Sequence, residues 1–191
     1  MIGGNMRNFV KIGAALAASL LILASCGGEN DVKTTSGVGT TAAPSASQSD
    51  DGMFSDLHKT VDAVRGYYGD TVKFVFSEDE YSDEVLEYTY GIYDERFTSA
   101  VDSFVLSECD GMRADTFAVV RFKSGTDASV IKDAAKVMED TYIAALKSKL
   151  SAYNPDEFAA SDKYILKTYD NALMMVISSE HGSEIAAAAE K

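Results

Sequence analysis

Residues 101–122 read VDSFVLSECDGMRADTFAVVRF. Val101 to Glu108 and Thr116 to Phe122 are rich in the β-branched and aromatic side chains that suit a pleated, half-buried surface. Between them, Cys109-Asp110-Gly111-Met112-Arg113 supplies an Asp-Gly pair, a short-range signal for a hairpin turn. Phe117, Ala118, Val119 and Val120 are apolar on both faces, so the second run reads as a central strand covered on at least one side. A second hairpin has the same form: Lys163 to Tyr169, the turn Asp170-Asn171, then Ala172 to Ser178. Its run Leu173-Met174-Met175-Val176-Ile177 is another inner strand.

The two hairpins are joined by the strongest helical pattern of the chain, Asp127 to Ala152. Ile131, Ala135, Met138, Tyr142, Ala145 and Leu146 keep helical spacing, with charged residues around the rest, and Asn154-Pro155 ends the run. Upstream, Leu57, Val61, Val64 and Tyr68 give one apolar face to a helix from about Asp56 to Tyr68, with Ser55 as its cap and Gly69 as its stop. Val72 to Phe76 reads as a short strand. Ser82 caps a helix over Asp83 to Tyr90, and Gly91 takes the left-handed position after it. Alanine-rich Ser183 to Glu190 forms the last helix. This order predicts an α+β fold: an antiparallel sheet built from two β-hairpins joined by a long helix, with further helices packed on it.

The first 53 residues are of another kind. Arg7 and Lys11 precede the apolar run Ile12 to Ala24, which is followed by Ser25 and Cys26. A positive start, a short apolar stretch and a small-residue cleavage site make a secretory signal. Thirteen residues fall short of the ~20 that span a bilayer as a helix. Leu23-Ala24-Ser25-Cys26 resembles the lipobox of bacterial lipoproteins. That resemblance implies cleavage between Ser25 and Cys26 and transfer of a diacylglycerol to the Cys26 thiol. Met6 is an alternative start, because the positive stretch is complete from there, and Gly27-Gly28 after the cysteine suggests a Gram-positive lipoprotein. The expected organisation is a signal peptide over 1–25, a lipidated cysteine and flexible Gly/Ser/Thr/Ala tether over 26–53, and a single α+β domain over 54–191. Such a tether has an end-to-end distance on the order of 30 Å.

The chain carries 17 Lys and Arg against 30 Asp and Glu, a formal charge of −13; loss of Arg7 and Lys11 with the signal takes it to −15. A surface this acidic repels nucleic acid and anionic lipid, so neither is an expected partner of the domain, and the membrane is met through the anchor alone. With Cys26 lipidated, Cys109 has no partner within the chain. It reads as a half-buried thiol near a strand end, and Glu108 and Asp110 beside it raise its pKa rather than activate it. His58 and His181 each stand without a metal-ligand neighbour at ligand spacing, so neither points to zinc or to acid–base chemistry. The acidic run Glu78-Asp79-Glu80, with Asp83, Glu84 and Glu87, lacks the loop spacing of a calcium site and reads as a solvated helix start. No phosphate loop, serine elbow or Cys–His signature occurs, and no cofactor is implied. Asp115, at the mouth of a buried strand, is the one acid with a possible catalytic place; otherwise it closes the turn after Arg113. The ten tyrosines suit either a core edge or a recognition surface.

Glu87-Tyr88-Thr89-Tyr90-Gly91-Ile92 and Ala114-Asp115-Thr116-Phe117-Ala118-Val119-Val120 resemble segments of a family of lipid-anchored proteins described as domain of unknown function 4358. The helix end Tyr153-Asn154-Pro155-Asp156 and the closing Met174-Met175-Val176-Ile177-Ser178 complete the resemblance, which runs over about 54 to 180. Usual members have an acidic-aliphatic pair where this chain has Asp115-Thr116. The family has no assigned activity, so the resemblance supplies no catalytic residues. The expected function is a non-catalytic binding or interaction module on the extracytoplasmic face of the cell membrane, for an envelope protein or ligand. The alternatives are an envelope-acting enzyme using carboxylates such as Asp115, or a small-solute capture lipoprotein.

Overall fold

A computed structural model describes residues 52–109 and 112–191. The signal segment, Ser25, Cys26, the tether up to residue 51 and the Asp110-Gly111 turn lie outside the described residues. Helix α1 (Leu57–Tyr68) leads through a short 3₁₀ turn (Gly69–Thr71) into β1 (Val72–Phe76). Helix α2 (Ser82–Glu84) runs directly into a π-helical turn (Val85–Thr89), followed by α3 (Glu95–Thr98). The first hairpin is β2 (Val101–Cys109) and β3 (Thr116–Phe122). Then come α4 (Ala128–Met138), a second π-helical turn (Glu139–Ile143), α5 (Ala144–Tyr153) and α6 (Pro155–Ser161). The second hairpin, β4 (Ile165–Thr168) and β5 (Ala172–Ile177), precedes α7 (Gly182–Ala189).

All strand pairs are antiparallel, in the order β1-β2-β3-β5-β4, so the expected α+β architecture is present with β3 at the centre. Side chains alternate across β3. Phe117 and Val119 meet α1 and α7 on one face, while Ala118, Val120 and Phe122 meet α4 on the other. β5 repeats the division, with Met174 and Val176 on the first face and Leu173 and Met175 on the second. Both faces are covered, which is why these two strands are apolar throughout rather than alternating. A third cluster of Ala114, Leu150, Ala160 and Ile177 packs α5 and α6 over the Thr116 end of the sheet. No helix among the described residues is long and apolar enough to cross a membrane.

Several local expectations need correction. The cap of α1 is Asp56, whose carboxylate accepts from the Lys59 amide at 3.0 Å, not Ser55. An aspartate cap also places a negative charge at the helix's positive end. Ser82 is the first residue of its helix rather than the cap; its hydroxyl donates to the Ser77 carbonyl at 3.0 Å. Asn154-Pro155 does end α5, but Pro155 then stands in the first turn of α6, where its missing N–H costs nothing. The long helix is not uniform. Its inward face runs through Ile131, Ala135 and Met138, then passes to Ile143 and Leu150, leaving Tyr142 half-buried and Ala145 exposed. The π turn inserts one residue and so moves every later side chain around the axis.

Candidate functional site

The two π turns converge. In the first, Tyr90 donates its amide to the Val85 carbonyl at 3.2 Å, an i to i−5 bond. In the second, Tyr142 lies against Tyr90 and Thr116 of the sheet. The rings of Tyr90 and Tyr142 stack with centroids 4.5 Å apart and planes 9° apart. Gly91, at φ +78°, lets the chain turn away beside Thr141. π-Helical turns cost hydrogen-bond geometry and recur at functional sites. Here two of them, from separate parts of the chain, frame one location.

That location is a cleft of about 290 Å³ at the Thr116 end of the sheet, lined by Thr89, Ser107, Glu108, Cys109, Arg113, Tyr142, Ala145, Leu146 and Lys149. Beneath it lies a hydroxyl network. Thr116 Oγ1 donates to the Ala114 carbonyl at 3.0 Å, so the Tyr142 hydroxyl, 2.8 Å away, is the donor to Thr116 Oγ1. The Tyr90 hydroxyl donates to the Ser107 carbonyl at 2.8 Å, and Ser107 Oγ accepts from the Phe117 amide at 2.8 Å. Tyr68 reaches the Thr116 carbonyl from the opposite face of the sheet at 2.9 Å. Buried polar groups joined in this way fix a unique arrangement of the strands.

Several ionisable groups at and just behind the cleft are neutral or paired. Burial, with the Asp115 charge second, pushes the Cys109 thiol up to about 12, so the flanking acids of the sequence are not the main cause. The thiol donates to the Asp115 carbonyl and stays protonated at neutral pH. Burial pushes the Tyr142 phenol up to about 12, and burial, followed by the neighbouring Tyr142, raises Tyr90 well above the ordinary phenol value. The Asp115 carboxylate, 6 % exposed, takes two hydrogen bonds from Arg113, Nε at 3.0 Å and Nη2 at 2.7 Å. Those bonds raise the Arg113 pKa and close the loop ahead of β3. Glu157 accepts from the Ala114 amide at 2.9 Å and ties α6 to the same loop.

The other residues singled out from the sequence lie elsewhere. His58 Nε2 is 2.8 Å from Glu78 Oε1, and its ring stacks on Phe76 at 4.0 Å. His181 stands before α7, 3.8 Å from Glu180. Asp79 Oδ2 accepts from the Phe76 amide at 2.9 Å, a local turn at the end of β1. Among the described residues, no three His, Cys, Asp or Glu side chains are grouped to hold a metal ion. Asp115 and Cys109 do come together, but nothing in the sequence sets Tyr90 and Tyr142 above the other tyrosines. Their pairing crosses 52 residues of sequence, and only Gly91 after Tyr90 marks the spot.

The family described as "Domain of unknown function (DUF4358)" matches residues 71–178, from the start of β1 to just beyond β5. That range holds the whole sheet and every residue of the cleft. No curated protein and no solved structure matches the chain.

Proposed function

The chain belongs to the DUF4358 family, a domain of unknown function, and we propose its function from its own chemistry: a lipid-anchored binding module on the extracytoplasmic face of the cell membrane, with the cleft between the two π turns as its recognition site. The observation that carries the reading is that two π turns frame a cleft whose thiol and phenol are held neutral by burial, with the buried carboxylate behind it paired to Arg113. The buried thiol and phenol recognise by shape and hydrogen bonding and offer no nucleophile at neutral pH. The anchor rests on Leu23-Ala24-Ser25-Cys26, and the tether gives the domain reach from the bilayer.

Two experiments test the two halves. Cys26→Ser should release the protein into the medium or leave it uncut; a variant processed and membrane-held as before removes the anchor. For the cleft, the anchored full chain is incubated with a soluble envelope extract and washed, and the retained small molecules are identified by mass spectrometry. A compound held by the native chain and missing from Leu146→Arg supports binding. Equal retention by both chains overturns the site, and a compound released with altered mass points instead to an envelope-acting enzyme.

A further inference from the structure

Two cations stand at the cleft of a strongly acidic molecule, one of them paired with Asp115 behind it. The chain as a whole carries −13, yet the cleft wall bears Arg113 and Lys149 against the single acid Glu108. Arg113 is held in place rather than merely present. Its Nε and Nη2 both go to one oxygen of the largely buried Asp115, which fixes the guanidinium plane at the rim. A guanidinium has five donors in a rigid fork, so one plane can hold Asp115 and still offer an edge to a second carboxylate. Lys149 lies on α5 one turn beyond Leu146, whose side chain with Ala145 and the Tyr142 ring forms the apolar part of the lining.

Size and field narrow the occupant. About 290 Å³ is at the small end of ligand sites, which excludes a polymer segment buried along its length. The surrounding acidic field penalises each added negative charge, so a monoanion enters more readily than a dianion. We propose that the cleft binds a small monocarboxylate with an apolar body, the carboxylate at the rim formed by Arg113 and Lys149 and the body against Ala145, Leu146 and Tyr142. This assignment rests on the reading of the cleft as the binding site.

The test is isothermal titration calorimetry on the full chain in detergent micelles, with three probes: N-acetyl-leucine, leucinamide and inorganic phosphate. N-acetyl-leucine should bind in the millimolar range, weaken about fivefold in Lys149→Gln, as expected for one exposed charge, and fail to bind Leu146→Arg. Leucinamide, with the same body and the opposite charge, should not bind. If leucinamide binds as well as N-acetyl-leucine and is lost in Leu146→Arg, the carboxylate assignment falls while the cleft remains the site. Tighter binding of phosphate overturns the monoanion. Binding of N-acetyl-leucine that survives Leu146→Arg places it elsewhere, and silence of all three probes refutes the assignment. Retention of an envelope compound by the native chain alone would then still support the cleft.

Discussion

Gly91 and Gly69 both sit at positive φ, +78° and +61°, but for different reasons. Around Gly69 a Cβ would meet open space, but φ 61° with ψ −149° is a conformation essentially reserved for glycine, so Gly69→Ala costs backbone strain alone, on the order of 1–3 kcal/mol. At Gly91 a Cβ would lie 2.2 Å from Thr141 Oγ1 and 2.9 Å from Thr141 Cβ. Thr141 cannot easily retreat, because its hydroxyl donates to the Val137 carbonyl at 2.5 Å within the helix. Gly91→Ala should therefore cost about 3 kcal/mol in urea unfolding, the sum of backbone strain and overpacking. A loss at Gly91 of about 1 kcal/mol or less would mean that the two π turns are not pressed together. Cys109 gives a second expectation at this scale. With its thiol pushed up to about 12, alkylation by iodoacetamide at pH 8 should be at least about tenfold slower in the folded protein than in urea. Equal rates would return Cys109 to the reactive thiols.

The strands were legible as elements because their signal is local and doubled: Phe117 to Val120 and Leu173 to Ile177 are apolar on both faces, and two covered faces demand that pattern. The π turns were not legible. Ile131 to Leu146 keeps good α-helical spacing in the sequence, and the register change at Glu139–Ile143 appears only once Tyr142 has Tyr90 and Thr116 to meet. Tertiary contact overrode a local pattern there, and with it the face of α5 and half of the cleft. Helices α3 and α6, of four and seven residues, are likewise too short to show a period. Beyond its apolar packing, the C-terminal end of the last helix is tied down by a carboxylate. Glu190 Oε1 accepts from Lys167 Nζ at 2.7 Å and from the Tyr169 hydroxyl at 2.5 Å, joining the end of α7 to the β4 hairpin. Burial alone would raise its pKa, but the two hydrogen bonds together outweigh burial and the net shift is downward. A carboxylate lowered in the folded state adds stability above its unfolded pKa and loses it as pH falls through the folded value. The melting-temperature gap between the native chain and Glu190→Gln should hold from pH 7 to about 4.5 and close below that. A gap that widened on acidification would mean Glu190 folds in its protonated form.

Across the whole molecule, the two ends of the sheet are chemically separate. The described chain begins at Gly52, where a Cβ would lie 3.6 Å from the Asn171 side chain, at the β4–β5 turn. Arg121 pairs with Ala172 at that end, whereas Thr116 pairs with Ile177 at the other, where the cleft opens. The five steps of β3 between them span about 17 Å, so Gly52, the first described residue, lies at the end remote from the cleft. An anchored domain can therefore keep its recognition end clear of lipid, provided that its surface does not settle on the bilayer. Charge argues that it does not. With the signal removed the chain carries 30 acids and two fewer cations than the precursor's 17, and at low ionic strength the reach of that field lengthens to about 30 Å at 0.01 M salt. A chain starting at residue 27 with Cys109 intact should stay in the supernatant when sedimented with vesicles one-third anionic in composition, and lowering the salt should deplete it from the pellet still further. Should the pelleted fraction instead rise as salt falls, a local cationic surface such as the Arg113–Lys149 rim would be steering the domain onto lipid, and the cleft would face the membrane rather than away from it.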